Sequence, residues 1–95
     1  MNIRELFEKH EGEHRHFERV VNKLSQRPDI HAFILLDRIC PDPDRDIISS
    51  AEHDKIWLEP DLDDVNTEAS EENVIELIRC GVLLDTKFEA LYMFV

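Results

Sequence analysis

The stretch HAFILLDRI, residues 31–39, carries six apolar side chains in nine positions. It is short, apolar and bounded by Pro28 and Pro41. That is the pattern of a strand buried on both faces. With a strand here, the chain on either side divides into an N-terminal helical segment and an acidic body.

Upstream, Ile3, Phe7, Phe17, Val21 and Leu24 recur at spacings of three and four, with Leu6 and Val20 beside them. The spacing predicts one long helix from about residue 2 to residue 26. Pro28 stops it by biasing Arg27 away from helical angles. Gly12 weakens its middle by roughly 1 kcal/mol relative to Ala.

Downstream, CPDPDRD (40–46) reads as a turn-rich acidic loop, and IISSAEHDKIWLE (47–59) as a second strand region. PDLDDVNTEA (60–69) reads as an acidic connector. Ser70 followed by Glu71 and Glu72 reads as a helix N-cap with acids in the first turn. Val74, Leu77 and Ile78 supply that helix's apolar face, and Gly81 its stop. VLLD and FEALYMFV read as two further strands joined by a tight hairpin near Asp85, Thr86 and Lys87. The expectation is a single α+β domain over 1–95. It has a long N-terminal helix, a mainly antiparallel sheet of about four strands and a second, shorter helix packed on it; the acidic α+β body is 29–95.

Hydrophobic residues at 42% give the chain enough to bury, and charged residues at 35% give it a solvated surface. Net charge is −11 and unevenly spread. Residues 1–27 hold six Lys/Arg and five Glu, net +1, so residues 28–95 hold all the excess acid. Such a surface repels nucleic acid and anionic membrane and attracts basic partners. Two cysteines, Cys40 and Cys80, form no C-x-x-C pair and are too few for a disulfide framework. The first residues lack a basic start followed by an apolar core, and no apolar run reaches membrane-spanning length. A cytoplasmic protein with reduced thiols is expected.

Three motifs bear on chemistry. His10-Glu11-Gly12-Glu13-His14 spells H-E-x-x-H. On a helix, histidines at i and i+4 reach one zinc ion and the glutamate holds the attacking water. A third ligand is missing at any helical spacing, because His16 points about 200° from His14 around the helix. The same histidines also continue the stripe Ile3, Phe7, His10, His14, Phe17, Val21, Leu24, whose 4-3-4-3 spacing is that of a coiled coil. Phe7, His10, His14, Phe17 and Val21 are therefore expected to form a self-association face, and the pair His10 and His14 is the alternative metal site.

The second motif, Asp42-x-Asp44-x-Asp46, opens like a calcium loop but has Ile47 where Gly is required and His53 where Glu is required. A second match from Asp61 fails at Val65. The glycine-rich nucleotide loops are impossible with only Gly12 and Gly81.

The third is an acidic belt. From Glu59 to Glu76 there are eight carboxylates and no Lys or Arg. If the second helix begins near Thr67, Glu68, Glu72 and Glu76 fall in one i, i+4 row. Asp61, Asp63, Asp64, Glu68, Glu71, Glu72 and Glu76 are the expected partner-binding residues. The belt implies a non-enzymatic binding protein that engages a basic protein, in its sharper form an inhibitor that imitates the phosphate row of nucleic acid. The alternative is a metal-binding protein or zinc-dependent hydrolase built on His10 and His14. No cofactor is expected in the first case, and zinc in the second.

Overall fold

The computed structural model describes residues 2–94. Met1 and Val95, the first residue of the expected domain and the last of the expected C-terminal strand, lie outside the described residues. Helices α1 (Ile3–Lys9) and α2 (Pro28–Ile39) come first, followed by strands β1 (Ile48–Glu52) and β2 (Lys55–Leu58). Helices α3 (Leu62–Glu68) and α4 (Glu71–Arg79) then lead into strands β3 (Leu83–Asp85) and β4 (Ala90–Phe94). The four strands make one antiparallel sheet in the order β1-β2-β4-β3. The fold is α+β, as the alternation of elements implies.

The strand expected at 31–39 is instead the greater part of α2. Pro28 occupies the first turn, where its missing N–H is no loss and its fixed φ suits a helix. Asp29 in the first turn and Arg38 in the last complement the helix dipole. The buried residues His31, Ala32, Leu35 and Leu36 repeat at helical spacing. Pro28 does not end a helix; it begins one.

The long N-terminal helix is also absent. Helix α1 covers only Ile3–Lys9, with Asn2 as its N-cap. Two isolated turns follow, Glu11–Glu13 and Phe17–Arg19, each a single turn of 3₁₀ helix. Arg15 takes a left-handed φ of 65° between them. A straight helix over 2–26 would run to about 38 Å, longer than the 30 Å greatest extent of the molecule. Breaking it at the polar, glycine-containing stretch lets Ile3, Leu6 and Phe7 reach the core while the chain turns back along α4.

The core lies between the helices and one face of the sheet. Val74, Leu77 and Ile78 of α4 sit at its centre, with Leu36 from α2, Val65 from α3 and Leu91 from β4 around them. Helix α4 touches both α1 and α2. Its start is as the sequence implies: the Ser70 hydroxyl accepts from the Asn73 N–H at 3.1 Å, and the Asn73 side chain accepts from the Ser70 N–H at 3.0 Å. The region 47–59 folds back on itself, so that it supplies two strands, β1 and β2, with a turn at His53 and Asp54. The acidic connector supplies α3, anchored to α1 by the Ile3 N–H donating to Asn66 Oδ1 at 2.8 Å. No helix among the described residues is long and apolar enough to cross a membrane.

Candidate functional site

The C-terminal half of α2, the loop 40–47 and the start of α3 enclose an open groove of about 820 Å³. Phe33, Ile39, Ile47 and Pro60 give it an apolar floor. Seven carboxylates line it: Asp37 from α2, Asp42 and Asp46 from the loop, Glu59 and Asp61 from the turn after β2, and Asp64 and Glu68 from α3. Arg45 is the one cation in the lining. Its guanidinium donates to Glu59 Oε1 at 2.9 Å and lies 3.7 Å from Asp42 Oδ2. The spacing of the α3 acids follows from helix geometry: Asp61, Asp64 and Glu68 stand at i, i+3 and i+7 and project to one side, flanking the buried stripe of Leu62 and Val65.

The groove's field is felt by its own thiol. Burial pushes Cys40 above its ordinary value, and the nearby Asp64 and Glu68 carboxylates push it further. The α3 dipole favours Asp61 and Asp64 at its N-terminal end but not Glu68 at its C-terminal end. The groove lies at the C-terminal end of α2, whose carbonyls carry the negative end of the helix dipole.

The expected partner-binding residues divide. Asp61, Asp64 and Glu68 line the groove, and Asp63 stands beside them on α3, exposed. Glu71, Glu72 and Glu76 belong to α4 instead. The i, i+4 row through Glu68, Glu72 and Glu76 is not formed, because Ala69 and Ser70 are extended and separate the two helices. Glu71 accepts from Lys9 Nζ at 3.2 Å and contacts His10 Nε2 at 2.6 Å. The His10 and Lys9 contacts hold its carboxyl below the usual range. Glu76 Oε2 meets Nε2 of the fully buried His31 at 2.7 Å. These two are structural ties; only Glu72 is exposed.

The H-E-x-x-H string does not lie on a helix. His10 caps the end of α1, Glu11–Glu13 is a 3₁₀ turn, and His14 follows it with an extended ψ of 123°. The i, i+4 geometry that aims two histidines at one metal is therefore lost. Among the described residues, no group of three or more His, Cys, Asp or Glu side chains is placed to hold a metal ion. The string instead runs along α4. His10 contacts Glu71 at the near end, Glu13 Oε2 accepts from Arg79 Nε at 2.9 Å at the far end, and the Arg15 N–H donates to the Ile78 carbonyl at 3.2 Å. His14 Nε2 is buried with no hydrogen-bond partner. The five expected self-association residues share no continuous face. Phe7 is in the core, Phe17 packs edge-on against His31, and Val21 is 87% exposed.

Sequence reasoning did not place Asp42, Asp46 and Glu59 among the partner-binding residues, and it missed Asp37 altogether, because on a strand that residue would not have turned toward the loop acids. The spacing Ile34, Asp37, Arg38 at the end of an apolar helical face was the available signal. Comparison with known protein families, with curated proteins and with solved structures found no match to this chain.

Proposed function

We propose that the protein is a non-enzymatic binding protein that takes a basic region of a partner protein into the acidic groove. In the sharper form of this reading it inhibits a nucleic-acid-binding protein by occupying the surface that would hold phosphates. The observation that supports it is the convergence of seven carboxylates, from four segments of the chain, on one groove containing a single arginine. Like charges gathered at the negative end of α2 oppose folding. A cationic partner relieves that repulsion and releases counterions as it binds, so the contact weakens with salt. The apolar floor offers the aliphatic stems of Lys and Arg a surface to lie on.

Two triple variants of equal charge change test this. Asp61→Asn/Asp64→Asn/Glu68→Gln empties the groove of three charges. Glu5→Gln/Glu8→Gln/Glu11→Gln removes three exposed carboxylates that make no ion pair. Proteins captured on the immobilised chain are identified at low and high salt. Basic nucleic-acid-binding proteins are expected on wild type and on the second variant, and are lost on the first variant and at high salt. Equal capture by both variants, or a captured set that is not basic, overturns the reading.

A further inference from the structure

Helix α2 has a second hollow at its other end. Pro28 and Asp29 line a hollow of about 580 Å³ together with Arg15, Phe17, Ile56, Arg79, Cys80, Met93 and Phe94. Its charge is opposite to that of the groove. Two arginines and one aspartate line it, in a protein whose net charge is −11, and Arg15 is the arginine left without a carboxylate partner among the described residues. Asp29 is partly committed, since its Oδ1 accepts from the Ile30 N–H at 2.9 Å. It makes no ion pair with either arginine. Arg79 is tied to Glu13 and to the Arg19 carbonyl.

Arg15 is different. It is exposed, and among the described residues its side chain makes no ion pair, although most of the other cations of the N-terminal segment do. Its backbone is pinned in a left-handed conformation by the bond to Ile78, and its stem lies over Gly81. The base of an unpaired arginine is thus fixed beside the hollow, on a residue type that seldom adopts φ near 65°. The positive end of the α2 dipole adds to it. The remaining walls are apolar: Phe17, Ile56 and Met93, with Phe94 at the rim.

We propose that this hollow binds a small amphiphile with one anionic head group, of the medium-chain carboxylate class. The carboxylate pairs with Arg15, and the hydrocarbon lies against Phe17, Ile56 and Met93. A cationic head is repelled, and an uncharged one forgoes the ion pair. The proposal does not depend on the acidic groove being a protein-binding site.

The test is a titration of the whole chain with decanoate, below its micelle concentration, followed by methyl NMR. Ile56 and Met93 are expected to shift and saturate, while Val65 and Leu36, in the core away from the hollow, stay in place. Decanol and decyltrimethylammonium serve as the uncharged and cationic controls and are expected to bind at least about tenfold more weakly, the value of one charge-assisted hydrogen bond. Arg15→Gln keeps most of the stem and the exposed position, and is expected to weaken decanoate binding by a similar factor while leaving decanol unaffected. The proposal is overturned if decanoate gives no saturable shift, if it shifts methyls throughout the core as a detergent does, if decanol binds as well, or if Arg15→Gln binds decanoate as wild type does.

Discussion

His31 is fully buried, and both ring nitrogens are engaged. Nδ1 accepts from the Leu24 N–H at 3.0 Å, which leaves Nε2 as the donor to Glu76 at 2.7 Å. One side chain thus ties the irregular 20–27 segment to α2 and α4. Replacing it by Leu keeps the volume but strands a backbone N–H and a carboxylate. His31→Leu is expected to lose about 2 kcal/mol, measured from the urea midpoint; a midpoint equal to wild type would show that the two bonds contribute nothing.

His14 makes a contrasting case. Burial, then the Arg15 charge, hold its pKa below the ordinary 6.5, against a smaller opposing effect of the Gly81 backbone. Folding therefore disfavours the protonated form, and the unfolded chain binds more protons. Stability contributed by neutral His14 is complete above pH 6.5 and declines as pH falls below it. Glu13, held down chiefly by Arg79, and Glu71, held down chiefly by His10, act in a lower window. Their contribution is complete above 4.5 and fades as pH drops through their folded values. Unfolding midpoints measured from about pH 8 to about pH 3 should show both declines in wild type. His14→Asn should lack the upper one and keep the lower; an unchanged upper decline in that variant would exclude His14 as its source.

At the scale of elements, α4 is the best test of local sequence chemistry. Its capping box satisfies two backbone donors, so Ser70→Ala should cost about 1 kcal/mol and lower Tm by roughly 4–8 °C in a chain of this size; a shift under about 1 °C would mean that packing alone holds the helix end. This helix was legible because cap, charge and apolar spacing agreed. The β3–β4 hairpin was legible for a like reason: Asp85 Oδ1 accepts from the Lys87 and Phe88 N–H groups and makes the turn.

Helix α2 was misread because Pro28 carries two opposite signals: it can stop a helix on its N-terminal side or start one on its C-terminal side. An apolar run also looks alike in a buried strand and a buried helix. The N-terminal segment was misread because its stripe took His10 and His14 as seam positions, whereas His10 caps α1 and meets Glu71, and His14 lies beyond the helix after a 3₁₀ turn. The count of four strands came out right with different members: 31–39 dropped out, and 47–59 divided in two. The groove was half legible. The acids of α3 and the 40–47 loop stand out as composition, but their meeting depends on α2 being a helix that ends beside them.

For the whole molecule, the two ends of α2 organise charge. Carboxylates surround its negative end, and at its positive end stand Asp29, the unpaired Arg15, and Arg79 with its partner Glu13. The sheet turns Lys55, Trp57, Tyr92 and Phe94 outward, with the lysine over both Tyr92 and Phe94 at 4.9 and 5.5 Å. Most of the excess acid lies elsewhere, and the groove holds a large share of it. If those carboxylates served only to keep the chain in solution, a dispersed arrangement would do as well without repulsion at a helix C-terminus.

Neutralising Glu68, which stands at the C-terminal end of α3 and beside that of α2, should stabilise the free protein by a few tenths of a kcal/mol, read as a rise in Tm that shrinks as salt is added; in the triple variant with Asp61 and Asp64 the lost α3 dipole contact of Asp64 offsets this gain. The triple variant removes two charges that raise the Cys40 thiol, so Cys40 should alkylate faster with iodoacetamide. Cys80, pushed up to about 12 chiefly by burial, should stay unreactive in both proteins until they unfold. A lower Tm in Glu68→Gln would mean that this carboxylate stabilises the fold by contacts of its own. An unchanged Cys40 rate would mean that the groove's field does not reach its floor. A gain of stability together with a faster Cys40 would show that the groove's carboxylates repel one another in the free protein, a repulsion that an opposite charge would relieve.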